Sequence, residues 1–317
     1  MVRSRPLLRA LAGTALLACG FLAACAPAKP PGDGEVIDTA PKDLGAAQVL
    51  RGQVYAGPPS GPLALDLYLP HAPGPRPLVV YAHGGGWESG DRRIDGEVAA
   101  AGAAESLAAE RLLRDGYAVA TVDYRLSGTA QAPAQAEDVA AAVRWLQREA
   151  GRWALDPDHV VLWGASAGGQ LAAQLGAVTD DPAAPGGGLT GIRAVVDWYG
   201  PADLSTTAQH AHPEVGDYAR HAVQRYLGCM PVQCPQRAAA ASPIRALSGA
   251  EPPYLIQHGT RDPLVPIDES LDLAAEIRRL GGHAELHAYD GYGHGFTPGG
   301  GVGAVVDAMA EFLARQR

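Results

Sequence analysis

The sequence predicts an α/β protein in which a mostly parallel central sheet is covered by helices on both faces and carries a small cap insertion. From about residue 48 onward, short apolar segments of strand length alternate with longer segments whose apolar residues recur at helical spacing. Glycines follow several of these segments, as expected where an element ends in a tight turn. With 317 residues, of which 47% are apolar, the chain can bury the core of one such domain.

The first two elements are predicted strands, Gln48–Tyr55 and Leu63–Leu69. In the second, Asp66 and Tyr68 alternate with leucines, as a half-buried strand requires. The later strands are predicted from short apolar runs at Leu78–Ala82, Tyr117–Val122, His159–Trp163, Ile192–Trp198, Pro253–Gln257 and His283–Tyr289. Helices are predicted from apolar spacing and terminal glycines at Ala104–Asp115, Ala134–Ala150, Ala167–Ala177, Ile267–Leu280 and Val305–Arg315.

Residues 201–250 interrupt this alternation with several prolines, and we expect them to form a cap-like insertion over one end of the sheet. The rest of residues 48–317 would form the single main domain. The insertion contains Cys229 and Cys234, which in an exported protein are expected to form a local disulfide. A metal site is not expected there, because no second cysteine pair or histidine cluster lies nearby in the sequence.

The first 24 residues have the features of a lipoprotein signal peptide. They contain three arginines and no acidic residue, followed by an apolar stretch too short to span a bilayer. The stretch ends in Leu22-Ala23-Ala24-Cys25, which resembles the bacterial lipobox, whose cysteine becomes the lipidated first residue of the mature protein. An ordinary secretory signal with a chance cysteine is the alternative. We expect a cell-envelope lipoprotein attached to the membrane through Cys25, with residues 25–47 as a flexible tether rich in Pro, Gly and Ala.

The charge balance argues against one class of partner. The formal net charge is -9, and a surface this acidic repels the phosphate backbone of nucleic acids. We therefore expect no nucleic-acid binding.

A candidate nucleophile lies in the run Gly164-Ala165-Ser166-Ala167-Gly168. The run follows the predicted strand His159–Trp163 and opens the predicted helix Ala167–Ala177, which is the context that a G-x-S-x-G nucleophile turn needs. The turn is so tight that the residues two positions before and after the serine must lack a Cβ atom. The pattern predicts Ser166 as the nucleophile.

The run His83-Gly84-Gly85-Gly86-Trp87 predicts an oxyanion loop after the strand Leu78–Ala82. Successive glycines let backbone N–H groups face an incoming oxyanion without obstruction by side chains. We assign the donors to Gly85 and Gly86, with the N–H of Ala167 as the third.

Two bulky residues flank the glycines of this loop. His83 comes before the chain turns, so we interpret it as a structural residue that holds the loop rather than as the catalytic base. Trp87 forms either a wall of the substrate pocket or part of the core, and the sequence does not decide between the two.

A serine nucleophile needs a base, and the base needs an acid that orients it. Asp262 follows the predicted strand Pro253–Gln257, and His294 follows the predicted strand His283–Tyr289 in a glycine-rich loop. Both lie beyond the carboxyl ends of strands, where open α/β sheets form their sites. Together with Ser166 they follow the chain order nucleophile, acid, base, which is the order in folds that carry a G-x-S-x-G nucleophile turn. His258 falls at the end of a strand and is interpreted as a core or edge residue.

These motifs together resemble the α/β-hydrolase superfamily from about residue 48 to the end of the chain. Within it, the chain resembles the bacterial carbohydrate esterase and feruloyl esterase-like group called BD-FAE, which is related to the hormone-sensitive-lipase-like esterases. The resemblance rests on HGGGWESGD at residues 83–91, Tyr124-Arg125-Leu126, Asp156-Pro157, GASAGG at residues 164–169, Ser242-Pro243 and HGTRDPLVP at residues 258–266.

The resemblance implies an α/β-hydrolase fold and a serine carboxylic-ester hydrolase that needs no metal or organic cofactor. Small acyl esters or acetyl and feruloyl groups on carbohydrate would be the substrates. Amide hydrolysis, by an arylformamidase or a small peptidase, is an alternative that the same motifs allow. A non-catalytic envelope binding protein on a hydrolase scaffold is a further alternative, against which the complete set of catalytic motifs argues.

Overall fold

The computed structural model describes residues 43–94, 103–207, 211–297 and 301–317. The predicted signal peptide and Cys25 lie outside these residues. Of the residues expected to form the tether, 43–47 are described: Leu44 is buried, and the Ala47 N–H donates to the carbonyl of Leu69. Within the described ranges, we find no helix with the length and apolar character needed to span a membrane.

The described chain contains one eight-stranded sheet with the strand order β1-β2-β4-β3-β5-β6-β7-β8. Strands β1 and β2 are antiparallel to their neighbours, and the remaining neighbouring strands are all paired in parallel. The predicted mostly parallel sheet is therefore confirmed. Its strands are β1 (Gln48–Ala56), β2 (Leu63–Leu69), β3 (Arg76–Ala82), β4 (Ala118–Val122), β5 (Leu155–Ala165), β6 (Ile192–Trp198), β7 (Tyr254–Gly259) and β8 (Ala284–Tyr289).

Helices cover both faces of the sheet, as predicted. Side chains alternate along β3, so that Val80 faces one apolar core and Val79 faces the other. Helices α2, α4 and α8 contribute to the first core, and α1 and α9 contribute to the second. The helices are α1 (Ala103–Arg114), α2 (Ala134–Arg148), α3 (Ala150–Trp153), α4 (Ala167–Ala177), α5 (Gly216–Leu227), α6 (Pro235–Ala240), α7 (Pro243–Ala246), α8 (Ile267–Arg279) and α9 (Gly303–Ala314).

The segment expected to be an irregular insertion, residues 201–250, contains α5, α6 and α7. Sequence reasoning predicted no helix here, because prolines interrupt the pattern; two of them, Pro235 and Pro243, in fact begin helices. A disulfide joins Cys229 and Cys234 just after α5. The carboxylate of Glu269 on α8 accepts the N–H groups of Ala202 and Asp203, each at 2.8 Å, and so fixes the start of the segment to the main domain.

The parallel strands β3, β5, β7 and β8 end at the same edge of the sheet. Ala82 at the end of β3 is paired with Gly164 near the end of β5. The loops that carry the predicted site residues therefore leave the sheet side by side.

Candidate active site

Ser166 lies on a strained turn between β5 and α4. Its backbone has φ 55° and ψ -119°, a conformation that side-chain-bearing residues rarely adopt. Its N–H donates to the carbonyl of Trp198 on β6 at 2.8 Å. A Cβ atom on Gly164 would overlap the carbonyl oxygen of Gly168, and one on Gly168 would overlap that of Ala82. The glycines at these two positions therefore allow the tight turn that the sequence predicts.

The three predicted triad side chains lie within hydrogen-bond reach of one another. His294 Nε2 is 3.0 Å from Ser166 Oγ, and His294 Nδ1 is 2.7 Å from Asp262 Oδ2. Because Nδ1 faces a carboxylate, it carries the proton, which leaves Nε2 as the acceptor for the serine hydroxyl. This is the geometry in which an imidazole can remove a proton from a serine.

Asp262 is buried and its carboxylate has several donors. Oδ1 accepts the N–H groups of Leu264 at 2.8 Å and Val265 at 2.9 Å. Burial by itself would raise the pKa of Asp262, but hydrogen bonds from His258 and His294 outweigh it and hold the pKa well below its ordinary value. The carboxylate therefore stays ionised throughout the neutral pH range.

His258 is fully buried and contacts the same carboxylate. Its Nε2 lies 2.8 Å from the carbonyl of Val265 and 3.4 Å from Asp262 Oδ2, whereas its Nδ1 lies 2.6 Å from Ser270 Oγ. Since Nε2 faces only acceptors, it carries the proton, and Nδ1 accepts from the serine hydroxyl. The predicted core or edge position of His258 agrees with its burial, but the prediction did not include this contact. Its spacing of four residues before Asp262 is the signal that could have found it.

The glycine loop after β3 turns sharply. Gly85 and Gly86 have φ values of 110° and 60°, and a Cβ atom on Gly85 would overlap the carbonyl oxygen of Ser89. The N–H groups of Glu88 and Ser89 both donate to the Gly85 carbonyl at 3.1 Å, which closes the turn. The amides of Gly85 and Gly86 have no acceptor among the described residues.

His83 holds this loop from inside the protein. Its Nδ1 donates to the carbonyl of Gly84 at 2.7 Å, and its ring stacks on Tyr124 with centroids 4.2 Å apart. The hydroxyl of Tyr124 donates to the His83 carbonyl at 2.8 Å. Burial lowers the pKa of His83, so the ring is neutral. These contacts agree with its interpretation as a structural residue.

Trp87 belongs both to the core and to the pocket wall, the two alternatives that the sequence left open. Its indole N–H donates to Gln170 Oε1 at 3.0 Å, and its ring stacks on Tyr226 at 4.3 Å. It is buried, and it also lines the cavity above Ser166.

An ion-pair network anchors the far end of the loop, and sequence reasoning did not identify it. Arg92 donates to Asp66 at 2.8 Å and to Asp123 at 2.7 Å. Asp66 is almost fully buried in β2, so the pair is expected to resist solvent screening. No local pattern in the sequence marks this pairing, because it joins three separate segments.

A cavity of about 710 Å³ opens above Ser166 and His294. The glycine loop and the start of α4, where Ala167 lies, line it. Tyr218 and Val223 of α5 line it on one side, and Glu105 of α1 and Tyr199 line it elsewhere. The predicted nucleophile, base and three oxyanion donors are therefore all part of one cavity wall.

Curated relatives of the chain include named esterases of Mycobacterium tuberculosis. Esterase LipC is 29% identical over 75% of this chain and 58% of its own length. Esterase LipQ is 32% identical over 69% of this chain and 52% of its own length. The chain thus spans little more than half the length of these relatives.

Two solved structures are similar in fold. A truncated carbohydrate esterase from gut microbiota has a TM-score of 0.71 and 24% identity, covering 87% of this chain and 98% of that one, a likeness that shows the fold alone. An esterase of Thermogutta terrifontis, solved with propionate bound, has a TM-score of 0.66 and 26% identity, covering 87% of this chain and 96% of that one. The expected α/β-hydrolase fold is confirmed.

A family model matches over more than half of the chain, from residue 65 to residue 277. The match includes the glycine loop, the turn around Ser166 and the turn around Asp262, all of which face the cavity. With its fold and its named esterase relatives, this chain belongs to the BD-FAE family.

Proposed function

We propose that the protein is a serine carboxylic-ester hydrolase that acts through Ser166, His294 and Asp262. The observation that carries the proposal is the continuous hydrogen-bonded chain from hydroxyl to imidazole to carboxylate, with distances of 3.0 and 2.7 Å. The names of the M. tuberculosis relatives support ester hydrolysis over amide hydrolysis.

Acylation begins when Ser166 Oγ attacks the carbonyl carbon of the ester and His294 Nε2 takes the hydroxyl proton. Asp262 keeps the proton on Nδ1 and stabilises the imidazolium that forms. The bond between the carbonyl carbon and the alcohol oxygen then breaks, and His294 gives its proton to that oxygen. In the second half, His294 takes a proton from water as the water attacks the acyl-enzyme. The bond between the acyl carbon and Ser166 Oγ then breaks, and His294 returns its proton to Oγ, which releases the carboxylic acid and restores the serine hydroxyl.

The amides of Gly85, Gly86 and Ala167 stabilise the negative charge on the carbonyl oxygen. Gly85 and Gly86 are free to do so because no described residue accepts their hydrogen bonds. Each such donor is worth on the order of 10²–10³ in kcat.

The substrates are small acyl esters or acetyl and feruloyl esters of carbohydrates. The family match supports this range. A cavity of about 710 Å³ is large enough for an acyl group and part of its alcohol.

The experiment is a panel of p-nitrophenyl esters of rising chain length, acetylated xylan, methyl ferulate and N-formylkynurenine, with wild type and Ser166→Ala. We expect the substitution to lower kcat on the order of 10⁶-fold, as in other serine hydrolases. A fluorophosphonate probe should label the wild type and not the variant. Unchanged ester turnover in Ser166→Ala would refute the assignment, and N-formylkynurenine turnover above that of every ester would favour the amide alternative.

We further propose that the mature protein is held at the cell envelope by lipidation of Cys25. The lipobox-like run before it supports this, and acyl chains anchor at roughly 0.8 kcal/mol per buried CH₂. Growth with labelled palmitate should label the wild type and not Cys25→Ser. Absence of label on the wild type would overturn the proposal.

A further inference from the structure

The cavity wall contains a buried carboxyl group that the proposed mechanism does not use. Glu105 lies in the first turn of α1, is only 6% exposed and lines the cavity above Ser166. Its Oε1 accepts a hydrogen bond from the hydroxyl of Tyr199 at 3.1 Å. Its Oε2 is buried and has no hydrogen-bond partner among the described residues. Buried polar atoms are rarely left without a partner, because the lost hydration is not replaced.

The position of Glu105 in the first turn of a helix does not account for the unpaired oxygen. A carboxyl group there is favoured by the helix dipole, and the group does interact with its own backbone N–H. Among the described residues, that contact and the Tyr199 hydroxyl still leave Oε2 unpaired, and Glu105 lines the cavity that holds Ser166. A ligand that supplies a hydrogen-bond donor would satisfy this oxygen.

The position of Tyr199 indicates which half of a bound ester would contact Glu105 Oε2. Its ring packs edge-on against the His294 ring with centroids 4.9 Å apart, and its hydroxyl contacts Glu105. Glu105 is therefore on the His294 side of the cavity. In ester hydrolysis the leaving alcohol must lie beside the imidazole that protonates it. The alcohol half of the substrate, rather than the acyl half, would extend toward Glu105.

The chemistry of the wall favours a hydroxyl over a cation. Burial raises the pKa of Glu105, with opposing contributions from its own backbone N–H, Tyr199 and His294, so the group is a weaker anion than an exposed glutamate. Arg93 and Asp91 both line the cavity and form an ion pair with each other, so together they add no net charge to the wall. A neutral hydroxyl donor satisfies Oε2 without the desolvation cost that a buried cation carries.

We propose that Glu105 and Tyr199 form an alcohol-side subsite in which Glu105 Oε2 accepts a hydrogen bond from a hydroxyl group on the alcohol half of the ester. The subsite rests on the proposed esterase function and narrows its substrates to esters of polyhydroxylated alcohols, such as glycosyl or polyol esters. An alcohol that lacks the hydroxyl leaves the buried oxygen unpaired, and sites of this kind discriminate against such analogues.

The test uses two acetates that differ only in hydroxyl groups, glycerol 1-acetate and n-propyl acetate. We expect the wild type to prefer glycerol 1-acetate in kcat/KM by about tenfold or more, the ratio that one hydrogen bond to a charged or buried group commands. Glu105→Leu should bring the ratio close to one. Glu105→Gln keeps the shape and one acceptor oxygen and should give an intermediate ratio. Glu110→Gln, on the same helix but outside the cavity lining, is the matched control and should keep the wild-type ratio.

The outcomes separate the subsite from the esterase function. If the wild type hydrolyses p-nitrophenyl acetate but shows no preference between the two acetates, the subsite is wrong and the esterase proposal stands. If Glu105→Gln and Glu105→Leu both keep the wild-type ratio, the preference arises elsewhere and the subsite is also wrong. A stronger preference for 2-(dimethylamino)ethyl acetate than for glycerol 1-acetate overturns the choice of a hydroxyl. If the wild type hydrolyses none of these esters, both proposals fall.

Discussion

Asp262 and Glu105 are both buried and both lie near His294, but their surroundings differ. Asp262 has a direct hydrogen bond to the imidazole, a second imidazole nearby and two backbone N–H donors. Glu105 has the Tyr199 hydroxyl on one oxygen, and its other oxygen has no partner among the described residues. The pKa of Asp262 is held below its ordinary value, and that of Glu105 is raised above it.

The comparison shows that burial alone does not decide the charge of a carboxyl group. Desolvation raises the pKa in both cases, and the hydrogen-bond donors decide whether that effect is outweighed. A carboxylate with several N–H donors stays ionised and is suited to orient a catalytic base permanently. A carboxyl group whose second oxygen has no partner among the described residues is suited to bind a ligand reversibly.

The largest expected difference between Asp262 and Glu105 is in the effect of their substitution on ester hydrolysis. We expect Asp262→Asn to lower kcat for p-nitrophenyl acetate by on the order of 10⁴, because the amide cannot hold His294 in the required tautomer. Glu105→Gln should cost at most about tenfold on the same ester, since this substrate has no hydroxyl for the subsite. Steady-state kinetics of the two purified variants measure both values. Comparable losses of kcat in the two variants would contradict the different roles assigned to Asp262 and Glu105.

His258 tests whether the donors around Asp262 matter. His258→Leu removes an N–H that faces the carboxylate, and we expect kcat to fall by about 10–100-fold with KM little changed. His258→Gln restores an N–H donor and should recover part of the loss. The carboxyl pKa of Asp262, followed by carbon NMR, should rise in the Leu variant. If both variants lose stability and the pKa of Asp262 does not change, His258 contributes only to packing.

The opposite pKa shifts predict different pH dependences of stability. Glu105 has a folded-state pKa above its ordinary 4.5, so the stability it contributes in protonated form is lost as pH rises through that folded value. Glu105→Gln should therefore gain stability relative to wild type between pH 5 and pH 8. Asp262 has a folded-state pKa below its ordinary 3.8 and is ionised in both states over this range. Its own titration therefore adds no pH dependence to the stability over this range.

Free energies of unfolding of wild type and Glu105→Gln in urea at pH 5 and pH 8 test the statement about Glu105. A pH-independent difference for Glu105→Gln would contradict the raised pKa.

The smallest effect is expected from Tyr199→Phe, which removes the hydroxyl donor of Glu105. We expect a loss of about 1 kcal/mol in the free energy of unfolding. The hydrogen bond from Tyr199 lowers the pKa of Glu105, so its loss should enlarge the stability difference between pH 5 and pH 8. The same urea titrations measure it, and an unchanged pH dependence would show that the hydroxyl does not interact with the carboxyl group.

Much of the fold followed from local patterns. The strand Ile192–Trp198 and the helix Ala167–Ala177 have the predicted bounds, because apolar periodicity and terminal glycines mark them directly. Strand β5 begins at Leu155, four residues before the predicted start at His159, where polar residues hide the extended pairing. The sequence does not predict helices α5 to α7, because proline usually interrupts a helix, whereas two prolines of this segment start helices.

The sequence alone determined the order of elements and the positions of Ser166, Asp262 and His294, because each lies in a short motif whose geometry is set by neighbouring residues. Only the tertiary structure decided which side chains surround them. The contact between Glu105 and Tyr199 joins residues 94 positions apart, and the contact of Arg92 with Asp123 joins two separate loops. Such pairs leave no local pattern, since nothing in either segment requires the other until the sheet brings them together.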